Sequence, residues 1–214
     1  VVNHGDTYGL ELTRANASQV LTHRRNIGMV FQQFNLVKRL TALENVLSGR
    51  LGYMNPLRST LKNYSKTDRE LAMSTLERVG MADYAWQRAD TLSGGQQQRV
   101  GIARALAQQP KMILADEPIS ALDPKSSDQV MNLLRDIHEH DGIAVIANLH
   151  CLDTVRDYAG RVIALKKGAL VFDGAVHELT HELTRALYYD EVPEQDLPQP
   201  IPVMPAQSRV ILEA

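Results

Sequence analysis

The run Leu92-Ser93-Gly94-Gly95-Gln96-Gln97-Gln98-Arg99, followed shortly by Met112-Ile113-Leu114-Ala115-Asp116-Glu117-Pro118, constrains this chain more than any other feature. Ser93 is a good helix N-cap. The two glycines after it let a phosphate approach bare backbone at a helix N-terminus, where free N–H groups and the helix dipole favour negative charge. The apolar residues Met112 to Ala115, ending in paired carboxylates, read as a buried strand whose C-terminal end presents Asp116 and Glu117 to a metal ion and a water. The helix opened by Ser93 is expected to run through Ala103, Leu106 and Ala107 to about Gln109, with Pro110 at its exit. Gly101 inside it costs about 1 kcal/mol relative to Ala, which predicts close packing there.

Capping and periodicity extend this reading along the chain. Val1 to Asp6 reads as a strand end and turn. Ile27-Gly28-Met29-Val30-Phe31 is a short apolar strand closed by Gln32. Thr41 with Glu44 has capping-box spacing and opens a helix with Leu43, Val46 and Leu47 on its apolar face. The segment Gly49 to Pro56 is expected to break that helix. Thr67 and Glu70 form a second candidate box, with Gly80 as the stop. Asp123 as N-cap and Pro124 after it start a helix in which Val130, Leu133, Leu134 and Ile137 recur at helical spacing. Ile143 to Leu149 is an almost continuous apolar strand ending at His150. Arg161–Lys166 and Ala169–Phe172 read as a hairpin around Lys167-Gly168, with Asp173-Gly174 turning the chain out.

Strands alternating with helices predict an α/β fold with a mostly parallel, covered sheet. Past Tyr189, Pro193, Pro198, Pro200, Pro202 and Pro205 cannot sit in a regular helix or central strand. The expected organisation is a domain over residues 1–189 and a Pro-rich tail over 190–214, in which Val210-Ile211-Leu212 is suited to clip onto a surface.

The carboxylate pair carries its own chemistry. Asp116 is a candidate to hold Mg2+ through water, since that ion keeps part of its hydration shell. Glu117 faces the same cleft and can accept a proton from an attacking water or orient it. Among the seven histidines only His150, at a strand end, is a candidate; its imidazole N–H can reach a phosphate. His138 and His140 point to different helix faces, and His177 and His181 lack a zincin pattern, so no zinc site is expected.

The ordered pair of motifs resembles the signature and Walker B motifs of ATP-binding-cassette (ABC) ATPases. That resemblance covers the chain to about Tyr189. It implies a P-loop-type α/β core with a helical signature subdomain at roughly 38–108. It implies that Ser93, Gly94, Gly95 and Gln96 contact the ATP held by a second copy of the chain, and that Glu117 and His150 are catalytic. Gln32 resembles the Q-loop glutamine that senses Mg2+ and water. It is chosen over Gln33 because it directly follows Met29-Val30-Phe31. Asp123 resembles the D-loop aspartate at the subunit junction, a role compatible with helix capping.

More narrowly, Arg25 to Gln32, Phe34 to Val37, Leu43 to Leu47 and above all Gly49-Arg50-Leu51-Gly52-Tyr53 resemble the ATPase subunit of phosphonate importers. The implied machine is a homodimer of ATPases under transmembrane permease subunits, served indirectly by a periplasmic binding protein, at the cytoplasmic face of the inner membrane. ATP and Mg2+ are the implied cofactors. Many importers, including those for amino acids and methionine, share the less discriminating stretches and remain an alternative. Soluble ABC ATPases acting on DNA ends or ribosomes usually carry a long coiled coil, a zinc hook or a second cassette, which the short segment between Gln32 and Leu92 does not accommodate. Gly101, Gly160, Asn148 and Cys151 depart from the family's usual residues.

The P-loop pattern G-x-x-x-x-G-K-[ST] occurs nowhere in the 214 residues. In the family that loop precedes the Q-loop. The expectation is therefore a chain without the N-terminal strands and Walker A loop, and without ATPase activity as given. A non-catalytic interaction module is the remaining alternative. A formal net charge of −2 makes no electrostatic case for a nucleic-acid partner. No apolar run is long enough to span a bilayer, and the opening residues do not read as a secretory leader. The single cysteine, Cys151, rules out an internal disulfide and is expected to fill the core.

Overall fold

The computed structural model describes residues 16–55, 61 and 63–188. The readings of Val1 to Asp6, Pro56 and the tail over 190–214 fall outside the described residues. Contacts divide the chain into two compact units, Val1–Val145 and Ile146–Ala214.

The first unit is α/β, as expected. Helix α1 (Ala17–Asn26) leads into strand β1 (Ile27–Val30), and β2 (Met112–Asp116) lies parallel beside it, with Ile27 opposite Met112 and Val30 opposite Ala115. The third strand, β3 (Ala144–Asn148), begins here, where the Ala144 N–H donates to Lys111 O at 3.2 Å; the sheet order is β1-β2-β3. Val30, Ile113 and Ala115 point into the core.

Helices α2 (Ala42–Ser48), α3 (Lys66–Arg78) and α4 (Gly94–Leu106) pack on one another, and α4 also lies against β1 and against α5 (Pro124–Asp141). The buried faces are those the periodicity marks: Leu43, Val46 and Leu47 on α2, and Val130, Leu134 and Ile137 on α5, with Leu133 half-buried. The box at Thr41/Glu44 and the caps at Ser93 and Asp123 form as local spacing predicts, and Gln96 completes a box at Ser93.

Five expectations are corrected. The box opening α3 is Ser65 with Asp68, not Thr67 with Glu70. The Asp68 N–H donates to Ser65 Oγ at 3.1 Å and Asp68 Oδ2 accepts from Ser65 N–H at 3.2 Å, while Arg50 pins Asp68 from α2's exit at 3.0 Å. Helix α4 stops at Leu106 because Gln109 turns left-handed at φ 52°. Gly101 is buried, but a Cβ there would meet Phe34 O only at 3.6 Å, an ordinary contact. The close approach is instead at Gly49, where a Cβ would stand 2.3 Å from Arg104 O. The other two, the end of β5 and the place of Cys151, are treated below.

In the second unit, β4 (Arg161–Lys166) and β5 (Ala169–Ala175) form an antiparallel hairpin turned by Lys167 and Gly168, both at positive φ. β5 does not leave the sheet at Asp173-Gly174 as expected. Asp173 instead accepts from Arg161 Nε at 2.8 Å across the hairpin, and the strand continues to Ala175. Helices α6 (Leu152–Tyr158) and α7 (His181–Tyr188) complete the unit. Cys151 is exposed, not a core filler. The chain buries Leu149 and then leaves the core, so His150 and Cys151 both face solvent, with Cys151 at the N-cap of α6. Hydrogen bonding to Thr154 lowers its thiol pKa. Among the described residues no helix is long and apolar enough to cross a membrane.

Candidate functional site

Parallel pairing with Val30 opposite Ala115 sets the two C-terminal strand ends side by side. Gln32 lies two residues beyond Val30 and Glu117 two beyond Ala115, so the same offset carries both side chains past the sheet edge. They meet there: Gln32 Nε2 donates to Glu117 Oε2 at 2.8 Å. Glu117 sits at φ 43°, a left-handed conformation that a glutamate adopts only when its surroundings hold it. Ser120 does part of that, donating to Glu117 O through both its N–H (3.3 Å) and its hydroxyl (3.2 Å). Asp116 precedes it, exposed at the end of β2.

Ser93 caps the 13-residue helix α4: Gln96 N–H donates to Ser93 Oγ at 3.3 Å and Ser93 N–H to Gln96 Oε1 at 2.9 Å. Gly95 is buried, and a Cβ there would lie 2.7 Å from Ser126 Oγ and 2.8 Å from Ser126 Cβ. Its glycine thus has a packing reason, the seating of α4's first turn on that of α5. At Gly94 a Cβ would stand 3.4 Å from Leu122 Cδ2, within ordinary contact. Asp123 is exposed and accepts from Ser126 N–H at 3.0 Å; hydrogen bonds from the Ser126 side chain and backbone hold its carboxyl below the usual range.

Gln32, Ser93, Gly94, Gly95, Gln96, Asp116, Glu117 and Asp123 therefore all belong to the first unit, with Gln32 and Glu117 in direct contact. His150 belongs to the second unit, exposed after Leu149.

Oxygen donors are what the strand ends offer a cation. The Asp116 carboxylate and, with its amide nitrogen engaged on Glu117, the Gln32 side-chain oxygen form a sparse hard set that suits Mg2+ completed by water and substrate phosphates. Among the described residues no group of three His, Cys, Asp or Glu side chains forms a denser cation site.

Two residues escape a reading by motif. Gln98 is fully buried and its Nε2 donates to Pro118 O at 2.7 Å, tying α4 to the residue after Glu117. Arg104 donates to Asn35 O at 2.5 Å and Phe34 O at 2.9 Å, tying α4 to the loop after Gln32. The only sequence signal is chemical mismatch: Gln98 on a buried helix face, and Arg104 alone in Gly101-Ile102-Ala103-Arg104-Ala105-Leu106-Ala107.

Comparison with known proteins gives the family. The profile of a family described as ABC transporter matches residues 7–120. The Phosphonates import ATP-binding protein PhnC of Bacillus anthracis is 52% identical over 189 residues, covering 88% of this chain and 74% of that protein. An inward-facing metal-chelate type ABC transporter superposes at TM-score 0.71 with 32% identity, over 76% of this chain and 64% of that one. An ATP-binding cassette in a dimeric post-hydrolysis state, bound to ADP and Pi, superposes at TM-score 0.61 with 37% identity, over 76% and 68%.

Proposed function

The chain belongs to the ABC transporter family, and from that premise we propose that it is the ATP-binding and hydrolysing subunit of an importer that takes up phosphonate or a related phosphorus oxyanion. The observation that carries the hydrolytic part is the Gln32–Glu117 contact at the ends of adjacent parallel strands. The identity to phosphonate import proteins supports the substrate class.

In this reading Glu117 accepts a proton from, or orients, the attacking water, and Gln32 fixes the carboxylate in place. Asp116 and Gln32 would hold Mg2+ through water; the ion, when bound, offsets charge on the phosphates. Ser93, Gly94, Gly95 and Gln96 serve the nucleotide of a second copy, where backbone N–H groups at the start of α4 favour phosphate. Asp123 lines the junction between copies, and His150 donates to the terminal phosphate. Permease subunits are the direct membrane partners, and a periplasmic binding protein acts through them. The subunit then sits peripherally at the cytoplasmic membrane face. No nucleic-acid partner is proposed.

The pattern G-x-x-x-x-G-K-[ST] of a phosphate-cradling loop is absent from these 214 residues, so by themselves they are proposed to turn over no ATP. The test of substrate class is ATP hydrolysis by the reconstituted transporter, stimulated by binding protein loaded with phosphonate. Stimulation by methionine or a polar amino acid instead would move the assignment to another importer class.

A further inference from the structure

The loop after Gln32 places two consecutive residues in the left-handed region, Phe34 at φ 60° and Asn35 at φ 48°. A side chain with a Cβ is disfavoured there, so two in succession need a constraint from outside. Inside the bend, Phe34 N–H donates to Phe31 O at 3.1 Å and Asn35 N–H to Gln33 O at 2.6 Å. The carbonyls of the same two residues are both taken by Arg104, through Nη2 and Nη1.

Arg104 is committed to this task. Among the described residues no carboxylate pairs with it, and burial pushes its pKa below the ordinary arginine value. Its charge is spent on two peptide oxygens, a geometry that a planar guanidinium fork satisfies and a single ammonium does not. Its carbonyl lies close against α2's exit, where a Cβ on Gly49 would stand 2.3 Å from Arg104 O. From the same helix, Gln98 holds Pro118, the residue after Glu117. Helix α4 thus grips both sides of the Gln32–Glu117 contact.

We propose that Arg104 is a positioning residue that latches the bend at Phe34 and Asn35, keeps Gln32 on Glu117, and so ties the helix carrying Ser93 to the hydrolytic carboxylate of the same subunit. This rests on the roles proposed above for Gln32 and Glu117.

The test is Arg104→Lys in the subunit carrying its phosphate-binding loop. Loss of a two-carbonyl, charge-assisted contact predicts a kcat lowered about tenfold with KM for ATP nearly unchanged, and backbone amides of Gln33 to Leu36 exchanging about tenfold faster. A merely structural role would lower the melting temperature without that split. Unchanged amide exchange overturns the proposal whatever the activity does, and so does faster exchange with an unchanged kcat. Arg104→Gln, which keeps one amide donor, replaces the lysine variant if that one fails to fold, with the same outcomes. Glu117→Gln run alongside separates the two readings: if that variant turns over normally, the assigned role of Glu117 has failed, and the amide exchange still judges the latch.

Discussion

Gln32 Nε2 and Glu117 Oε2 meet at 2.8 Å although 85 residues separate them in the chain. The contact follows from strand register, since both residues sit at the same offset beyond the paired Val30 and Ala115. It places an amide donor against a carboxylate held in a left-handed backbone, a carboxylate whose direction is set before any substrate arrives.

Glu117→Gln is therefore expected to keep ATP binding in the subunit with its phosphate-binding loop and to lower turnover by about a hundredfold or more, the scale of general-base catalysis. Steady-state hydrolysis with nucleotide-binding titration checks it. Near-normal turnover would identify another base.

The 214-residue chain alone is expected to show no saturable Mg-ATP hydrolysis, because its sequence lacks the G-x-x-x-x-G-K-[ST] pattern whose loop cradles the β- and γ-phosphates. A phosphate-release assay decides the matter: saturable activity that Glu117→Gln abolishes would contradict it.

Gly95→Ala should destabilise the protein by about 1–3 kcal/mol through overpacking, since the new Cβ would stand 2.8 Å from Ser126 Cβ, an atom no rotamer change can move away. Ser126→Gly should recover part of the loss, whereas Gly94→Ala, at 3.4 Å from Leu122, should be tolerated. Urea denaturation of the set measures this. Equal losses at both glycines would remove the packing explanation.

Asp68 links pH to stability. Burial pushes its carboxyl up, but hydrogen bonds from Ser65 and Arg50, with the Arg50 charge, outweigh that and leave its pKa below the ordinary value. A depressed folded pKa contributes stability above the unfolded value, near 3.9, and loses it as pH falls through the folded value. Asp68→Asn should thus flatten the part of the acid-unfolding curve below about pH 4. Arg50→Ala, which also loses contacts to Ala107 O and Gln109 Oε1 and its stacking on Tyr53, should cost about 2–3 kcal/mol at neutral pH. An acid limb as steep in Asp68→Asn as in the parent would show that another carboxylate governs it.

The sequence by itself determined what is settled within three or four residues. The Thr41/Glu44 box and the caps at Ser93 and Asp123 are i, i+3 hydrogen bonds, and the apolar faces of α2 and α5 are helical spacings, so both can be read along the chain. Even there, Ser65 with Asp68 competed with Thr67 and Glu70 at equal spacing, and Arg50, distant in sequence, accompanies the box that forms. The carboxylate pair Asp116-Glu117 was legible because a strand ending in acids is a local pattern.

Only the tertiary structure decided which residues meet those carboxylates. The partner of Glu117 depends on the register of two strands. The glycine at 95 depends on where α5 begins, and the exposure of Cys151 depends on where the chain leaves the core. Arg104 reaches Asn35 and Phe34 across 69 and 70 residues. Such contacts arise when strand register and helix packing bring residues distant in sequence side by side, a choice that no local spacing encodes.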